Sequence, residues 1–277
     1  MESRKPRIVV TMPAYRAEVT LAKTLYDIPP GFADEVIVVD DASPDRTVEV
    51  ARELGLRVEV HTANKGYGGN QKTCYDLALA DGADIIVLLH PDYQYDPKVL
   101  PDLVKPLLEG RADFTFGSRF RKQAGDPRYG DPLRGGMPIY RYLGNIFTTV
   151  VENLVLRTKF TELHSGLKAY NRRFLEELDY HAYDDKFVFD SQMVIEAVLL
   201  GYRLEEVPIP TRYTEESSSV SIKNSLVYIA RTFETLFKTR LNRNKLIKTH
   251  QARLEKLKAA QVSPEIQPET SKVGSSN

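Results

Sequence analysis

Five short apolar runs, at residues 8–11, 36–39, 58–60, 85–89 and 114–117, alternate with segments of helical periodicity through the first half of the chain. The runs are near-continuous in Val, Ile, Leu and Phe rather than alternating with polar residues, so each strand is expected to be covered on both sheet faces. Successive strands separated by helices run parallel, because a parallel pair needs a long crossover. Helices are expected over 19–26, 46–54 and 71–80, with Ser43-Pro44-Asp45 as a helix start. This order predicts an α/β fold, a mostly parallel sheet flanked by helices. Such sheets collect ligands beyond the carboxyl ends of their strands.

The second half reads differently. Residues 126–136 are rich in Gly, Pro, Asp and Arg and form a loop of a length that is often functional. Residues 138–156 predict a core helix whose apolar face includes Ile139, Tyr142, Ile146, Val150 and Leu154, and 190–200 a further core helix. After Pro208 and Pro210, the residues Ile222, Leu226, Ile229, Phe233, Leu236, Phe237 and Leu241 fall at helical spacing, with Lys223, Arg231, Lys238 and Arg240 interleaved. That is a basic amphipathic helix, the kind that lies on membrane surfaces as well as on protein cores.

The 38 basic and 38 acidic residues of the chain cancel, which argues against a protein built to hold nucleic acid. Between Val220 and Lys258, however, ten Lys and Arg stand against two Glu, so the basic charge is gathered at one end. Lys and Arg continue through Arg243, Lys245, Lys248 and Arg253. Such a patch attracts anionic lipid headgroups. No stretch of about 18 apolar residues occurs and the N-terminal apolar run has strand length, so any membrane contact is expected to be peripheral. The single cysteine, Cys74, fits a reducing compartment. Beyond Ala260 the chain is polar and lacks apolar periodicity, and disorder is expected.

Residues just after each strand carry the chemistry. Pro13, Tyr15 and Glu18 follow the first strand and Asp40 and Asp41 the second. An aromatic ring and a carboxylate pair suit a base and a ribose, although aspartates here also serve as helix caps. Asn64 to Lys72 is glycine-rich and opens a helix; its N-terminus with Lys65 or Lys72 suits a phosphate, and a plain tight turn is the competing reading. The Walker spacing is absent. After the fourth strand comes His90-Pro91-Asp92-Tyr93-Gln94.

The run VVTMPAY, VIVVDDASPDRT, NKGYGGN, HPDYQYDP and FGSRF resembles the nucleotide-sugar half of the family 2 glycosyltransferases, which have the GT-A fold. TELHSGLKAYNRRFL and FVFDSQMVIEAVLLGYRLEEVPI extend the resemblance over roughly residues 7–240. Within that family the chain is most similar to polyprenyl-phosphate sugar synthases of the dolichyl-phosphate mannose synthase type. The resemblance implies a glycosyltransferase domain over 1–215, a basic helical region over 216–258 and a disordered tail over 259–277.

It further implies that Pro13, Tyr15, Glu18, Asp40 and Asp41, with Lys65 and Lys72, hold a nucleotide-diphosphate sugar. Asp92 and Gln94, with His90 where the family has its first acidic residue, would hold a divalent Mg2+ or Mn2+; imidazole favours manganese. Asp92, Asp190 and Arg119 would serve catalysis, and Arg119, Arg134, Arg141 and His164 would meet an acceptor phosphate. The acceptor implied is a polyprenyl (undecaprenyl or dolichyl) phosphate at the cytoplasmic face of a membrane. A hydroxyl acceptor in cell-envelope glycan synthesis, with Asp190 as general base, is the enzymatic alternative. A non-catalytic nucleotide-sugar-binding protein is the alternative from another class. The oligomeric state is not legible.

Overall fold

The computed structural model describes residues 4–210, 212–213 and 222–262. The expected domain junction at 215/216 and most of the expected disordered tail, from residue 263 onward, lie outside the described residues. One seven-stranded sheet has the order β3-β2-β1-β4-β6-β5-β7. Its strands are β1 Ile8–Ala14, β2 Glu35–Asp40, β3 Arg57–Val60, β4 Ile85–Leu88, β5 Phe114–Ser118, β6 Lys168–Asn171 and β7 Leu204–Pro208. β6 runs antiparallel to both β4 and β5, and the other neighbours are parallel.

The five expected strands are present, and two more complete the sheet. β6 has four residues, begins with Lys and ends with Asn, and β7 carries two glutamates, so neither has an apolar signature. β7 pairs with β5 alone and forms an edge, which lets Glu205 reach out to Arg111 while Glu206 turns in to Thr161.

Helices α1 (Leu21–Tyr26), α2 (Thr47–Glu53) and α4 (Leu100–Leu108) cover one face. There Leu21, Ala51, Leu100 and Leu103 pack on Val10, Met12, Val38 and Val87. α3 (Gly66–Ala80), α6 (Arg172–Glu177) and α7 (Val188–Leu200) cover the other face, where Cys74, Tyr75, Phe174 and Met193 pack on Ile37, Val39, Ile86 and Phe114. Burying each large apolar side chain contributes roughly 1.5–3 kcal/mol, so the strands' double-sided apolar character is what holds the layers.

α5 (Ile139–Leu156), α8 (Ile222–Leu241) and α9 (Arg243–Val262) form a helical flank. α5 corrects the sequence expectation of a core helix. Thr148, Thr149, Glu152 and Leu156 are its buried side chains, whereas Ile139 (64% exposed), Leu143, Ile146, Phe147, Val150 and Leu154 (75%) face outward. On α8, Thr232 and Leu236 are buried while Leu226, Val227, Phe237 and Leu241 are exposed. Of the basic residues expected at a lipid surface, Arg253 is instead paired with Asp179 at 3.0 Å, fastening α9 to the domain. Among the described residues no helix is long and apolar enough to cross a membrane.

α3 begins at Gly66, five residues before the expected start at Gln71. The glycines form its first turn because that turn lies against the backbone of Asp184 and Asp185. Gly68 N donates to Asp185 O at 2.8 Å, and a Cβ at Gly68 would stand 2.6 Å from Asp184 O and 2.7 Å from Phe189 Cβ. Gly68→Ala is expected to lower stability by about 1–3 kcal/mol through this overlap. Chemical denaturation measures it, and an unchanged midpoint would show that the contact relaxes freely.

Candidate active site

The strand order brings the carboxyl ends of β2, β1 and β4 into one row, with the topological switch between β1 and β4. Each of the three loops that follow carries a non-glycine residue in the left-handed region: Arg16 (φ 56°), Ala42 (φ 57°) and Tyr93 (φ 56°). Such residues cost on the order of 1–3 kcal/mol and persist where neighbours hold them. Here Arg16 N donates to Ser43 Oγ at 3.0 Å, Ser43 N to Asp40 Oδ2 at 2.9 Å, and Gln94 N to Asp92 Oδ1 at 3.1 Å. The Tyr93 hydroxyl is fixed between Asp27 and Arg212.

Along the β1 and β2 loops, Pro13 is buried, Tyr15 presents about half its ring to solvent, and Glu18 accepts from Arg46 N at 2.9 Å. The two aspartates differ. Asp41 is heavily engaged: its carboxylate accepts from His61 Nδ1 (2.8 Å), Lys65 N (2.7 Å) and Gly66 N (3.0 Å). Asp40 is fully buried and spends Oδ2 on Ser43, while Oδ1 has no hydrogen-bond partner. A buried carboxylate oxygen left unsatisfied is costly, and a ligand donor would satisfy it. Asp40 therefore fits a ligand contact better than Asp41 does.

The phosphate expected at the start of α3 is not accommodated. Its N–H groups already bind the Asp41 carboxylate and the Asp185 carbonyl. Lys72 is turned away: its ammonium donates to the carbonyls of His181 and Tyr183 and pairs with Asp185 at 2.7 Å, clamping the 181–185 segment to α3. Lys65 is exposed.

Beside this row lies a cavity of about 220 Å³. His90, Asp92 and Gln94 line it from the β4 loop, Arg141, Gly144, Asn145 and Thr148 from α5, Asp190 from α7, and Ser225, Tyr228 and Ile229 from α8. Behind Asp190 Oδ1, at 2.7 Å, stands Lys168 Nζ, the lysine side chain 1% and the aspartate side chain 10% exposed. Tyr67 OH donates to Asp190 Oδ2 at 2.7 Å and lies 3.2 Å from His90 Nε2, the two rings stacked at 5.4 Å.

Burial lowers the Lys168 pKa, against the opposing pull of Asp190. Burial also lowers the His90 pKa, against Asp92 and Asp190, so the imidazole is neutral near pH 7. The Tyr67 phenol is held protonated, by burial first and then by the charge of Asp190. Because its one proton goes to Asp190, His90 Nε2 must be the protonated nitrogen, and the Nδ1 lone pair remains for a ligand.

Those atoms fit part of a metal site. An imidazole lone pair, a carboxylate and an amide oxygen come from one short loop. Among the described residues no group of three His, Cys, Asp or Glu side chains could hold an ion alone, so donor phosphate oxygens would complete the shell.

The four residues expected at an acceptor phosphate separate. Arg141 lines the cavity, and Arg134 is exposed outside it. Arg119 lines it but is bound to Glu162 through Nε (2.7 Å), Nη2 and its own backbone N (2.7 Å), with Nη1 on Tyr213 OH at 2.6 Å. His164 is buried with Nδ1 2.9 Å from Tyr228 OH and Nε2 2.9 Å from Glu152 Oε2, the second contact lacking hydrogen-bond geometry.

Sequence reasoning missed Tyr67, Lys168, Glu162 and Tyr228. Lys168 was reachable only through the β6 register, which sets it opposite Leu88 at the end of β4. Tyr67 was hidden in a run read for its glycines. Lys168→Met is expected to destabilise the protein by about 3–5 kcal/mol, since it leaves the Asp190 carboxylate buried without its partner. Adding Asp190→Asn to that variant should restore much of the loss in equilibrium unfolding, and no recovery would mean that the pair is not the source of the cost.

A family model for glycosyl transferase family 2 matches residues 9–179. An uncharacterised protein of Methanocaldococcus jannaschii is 32% identical over 218 residues, 79% of this chain and 86% of that protein. The UDP-N-acetylglucosamine–dolichyl-phosphate N-acetylglucosaminyltransferase of Methanococcus voltae is 26% identical over 227 residues, 76% of this chain and 87% of the relative. A glucosyl-3-phosphoglycerate synthase from Mycobacterium tuberculosis, solved with Mn2+ and UDP-glucose, superposes with a TM-score of 0.64 at 21% identity, covering 84% of this chain and 78% of that one. At that identity the likeness is one of fold.

Proposed function

The chain belongs to glycosyl transferase family 2, and from that premise we propose that it moves a sugar from a nucleotide diphosphate to a polyprenyl phosphate, with inversion, at the cytoplasmic face of a membrane. The observation that carries the lipid acceptor is the outward face of α5. Ile139, Leu143, Ile146, Phe147, Val150 and Leu154 are exposed there, while Glu152 is buried. A soluble monomer rarely exposes so much contiguous apolar surface. Alongside it, Lys223, Arg231 and Lys238 on α8 and Arg243 and Lys245 on α9 are exposed cations suited to anionic headgroups. α5 and α8 also wall the cavity, through Gly144, Asn145 and Tyr228. The Methanococcus voltae relative, whose name gives dolichyl phosphate as acceptor, supports the same class.

In this reading Tyr15 stacks on the base, and Asp40 accepts from the nucleoside through its unsatisfied oxygen. His90, Asp92 and Gln94 would hold a divalent ion, Mn2+ by the preference of imidazole and by analogy with the synthase solved with that metal. Bound there, the ion supplies charge stabilisation to the departing diphosphate. The acceptor's phosphate oxygen attacks the anomeric carbon as the bond to the nucleotide diphosphate breaks. An anionic phosphate needs no base. Asp190 suits that assignment, because Lys168 and Tyr67 already engage both of its oxygens.

Transfer of radiolabelled sugar into a butanol-soluble lipid, screened over donors, is the direct test. The wild type is expected to label polyprenyl phosphate and Asp92→Asn to lose on the order of 100-fold or more. Asp190→Asn should keep most of its turnover once folded. A loss of 100-fold or more there would favour the hydroxyl-acceptor alternative, and label found only in water-soluble glycan would reject the lipid acceptor.

Membrane binding is expected to be salt-sensitive and to weaken when Lys238, Arg240, Arg243 and Lys245 are neutralised together, each contributing about 1 kcal/mol. Flotation with anionic liposomes measures it. Absence of binding at low salt would make this flank a protein-contact surface.

A further inference from the structure

The imidazole at position 90 asks more of its surroundings than a carboxylate would. A carboxylate offers an ion two equivalent oxygens, whereas a neutral imidazole offers one lone pair, and only from the nitrogen that carries no proton. His90 can serve as a ligand only if its proton is held on the other nitrogen. Metal-binding histidines are held in that state by a hydrogen-bond partner on the second ring nitrogen.

Tyr67 has the place and the chemistry of that partner. Its hydroxyl is 2.7 Å from Asp190 Oδ2 and 3.2 Å from His90 Nε2. The carboxylate takes the phenolic proton, which leaves the phenol oxygen to accept from Nε2–H. With the imidazole proton on Nδ1 instead, His90 Nε2 and Asp190 would compete for one phenolic proton and one of them would go without. Packing sets the ring as well. Its Nε2–Cδ2 edge lies on Gly166, where a Cβ would stand 3.0 Å from Cδ2 and 3.1 Å from Nε2. Nδ1 is the vertex opposite that edge, so it points away from Gly166, and His90 shares the cavity wall with Asp92 and Gln94. Tyr67 is itself fixed from both sides along its turn of α3. The amides of Lys65 and Gly66 bind the Asp41 carboxylate, and those of Gly68 and Gly69 meet Asp185 O at 2.8 and 3.3 Å. Its ring is stacked on His90 and lies 4.9 Å from the ring of Phe187.

We propose that Tyr67, oriented by Asp190, is a positioning residue for a divalent ion, holding His90 as the Nε2–H tautomer whose Nδ1 lone pair is the ligand. The inference rests on the divalent-ion reading of His90, Asp92 and Gln94 above, and Tyr67 acts through the imidazole rather than on the ion. It asks of residue 190 only an acceptor oxygen, so Asp190 needs no part as a base. It also ties two departures together: a histidine where the family has its first acidic residue requires a tautomer-setting partner, and the glycine-rich run supplies one in its tyrosine.

Long-range 1H–15N correlation spectra of the metal-free protein read the tautomer directly, with His90→Gln assigning the signal among the five histidines. The wild type is expected to show Nε2 protonated and Nδ1 bare, and Tyr67→Phe to show a mixture of the two tautomers. Mn2+ titration followed by electron paramagnetic resonance, with UDP or GDP present, should give an affinity about 10–100-fold weaker in Tyr67→Phe, the usual cost of removing the outer partner of a ligating histidine. A wild type protonated on Nδ1, or a Tyr67→Phe variant that binds Mn2+ as tightly as the wild type, would overturn the assignment while leaving the ion standing. The wild-type spectrum decides the tautomer even where Tyr67→Phe fails to fold. A wild type that takes up no Mn2+ with either nucleotide would remove the ion from the proposed reaction, and this inference with it.

Discussion

The site is organised around one ammonium–carboxylate contact, Lys168 against Asp190 at 2.7 Å, almost entirely out of water. Burial works against the charge on Lys168 and Asp190 works for it, so the pair exists only while both members stay in place. That requirement reaches into three layers of the fold. Lys168 is placed by the reversal of β6, which starts where its antiparallel neighbours β4 and β5 end. Asp190 is placed by the first turn of α7, and Tyr67, from the first turn of α3, closes the second oxygen. α3 in turn starts where it does because Asp41 and the Asp185 carbonyl receive its N–H groups. A shift in any of these elements would leave a charge stranded.

α5 is a second constraint, and it points outward. Amphipathic helices in soluble domains bury their apolar side, yet α5 buries Thr148, Thr149 and Glu152 and exposes Ile139, Leu143, Ile146, Val150 and Leu154. The inward polar face is explained by what it serves: Thr148 and Asn145 line the cavity and Glu152 lies against His164. Because that stretch of the inward side is committed to polar work, the apolar stripe from Ile139 to Leu154 stays at the surface, while Val151, Val155 and Leu156 pack with Ile195, Leu199 and Leu236. One helix is therefore at once the wall of a polar site and a face suited to lipid.

Much of this was legible in the sequence, and what was not has a physical cause. Near-continuous apolar runs identify strands covered on both faces, so β1, β2, β4 and β5 could be read, and with them the loops that hold Tyr15, Asp40, Asp92 and Gln94; β3 is instead an exposed edge strand carrying Arg57 and Glu59. β6 and β7 are short and carry Lys and Glu, so their strand character comes from pairing partners rather than from their own residues. Period alone places the apolar stripe of α5 but not the side from which water is excluded, and the expectation of a core helix failed there. Lys72 and Asp41 have the chemistry of nucleotide ligands, and only the three-dimensional contacts reveal that Lys72 pairs with Asp185 and that Asp41 also holds the α3 N-terminus.

Two cations at the cavity share a property that bears on the proposed chemistry. Lys168 is matched by Asp190 and Arg119 by Glu162. Each pairing fixes geometry, and each removes a positive charge from the count available to an incoming ligand. A sugar nucleotide brings a diphosphate whose negative charge grows on the leaving oxygen as the sugar departs. Protein cations already neutralised by buried carboxylates answer that growth weakly, because their field at the ligand is largely cancelled by their partners. This is the electrostatic reason for assigning a divalent ion to His90, Asp92 and Gln94 in the proposed reaction. It is also why a neutral His90 is well suited to the position of the family's first acidic residue. With Asp190 and Asp92 both near, a third carboxylate would add repulsion against the donor, whereas an imidazole lone pair offers a ligand without adding negative charge.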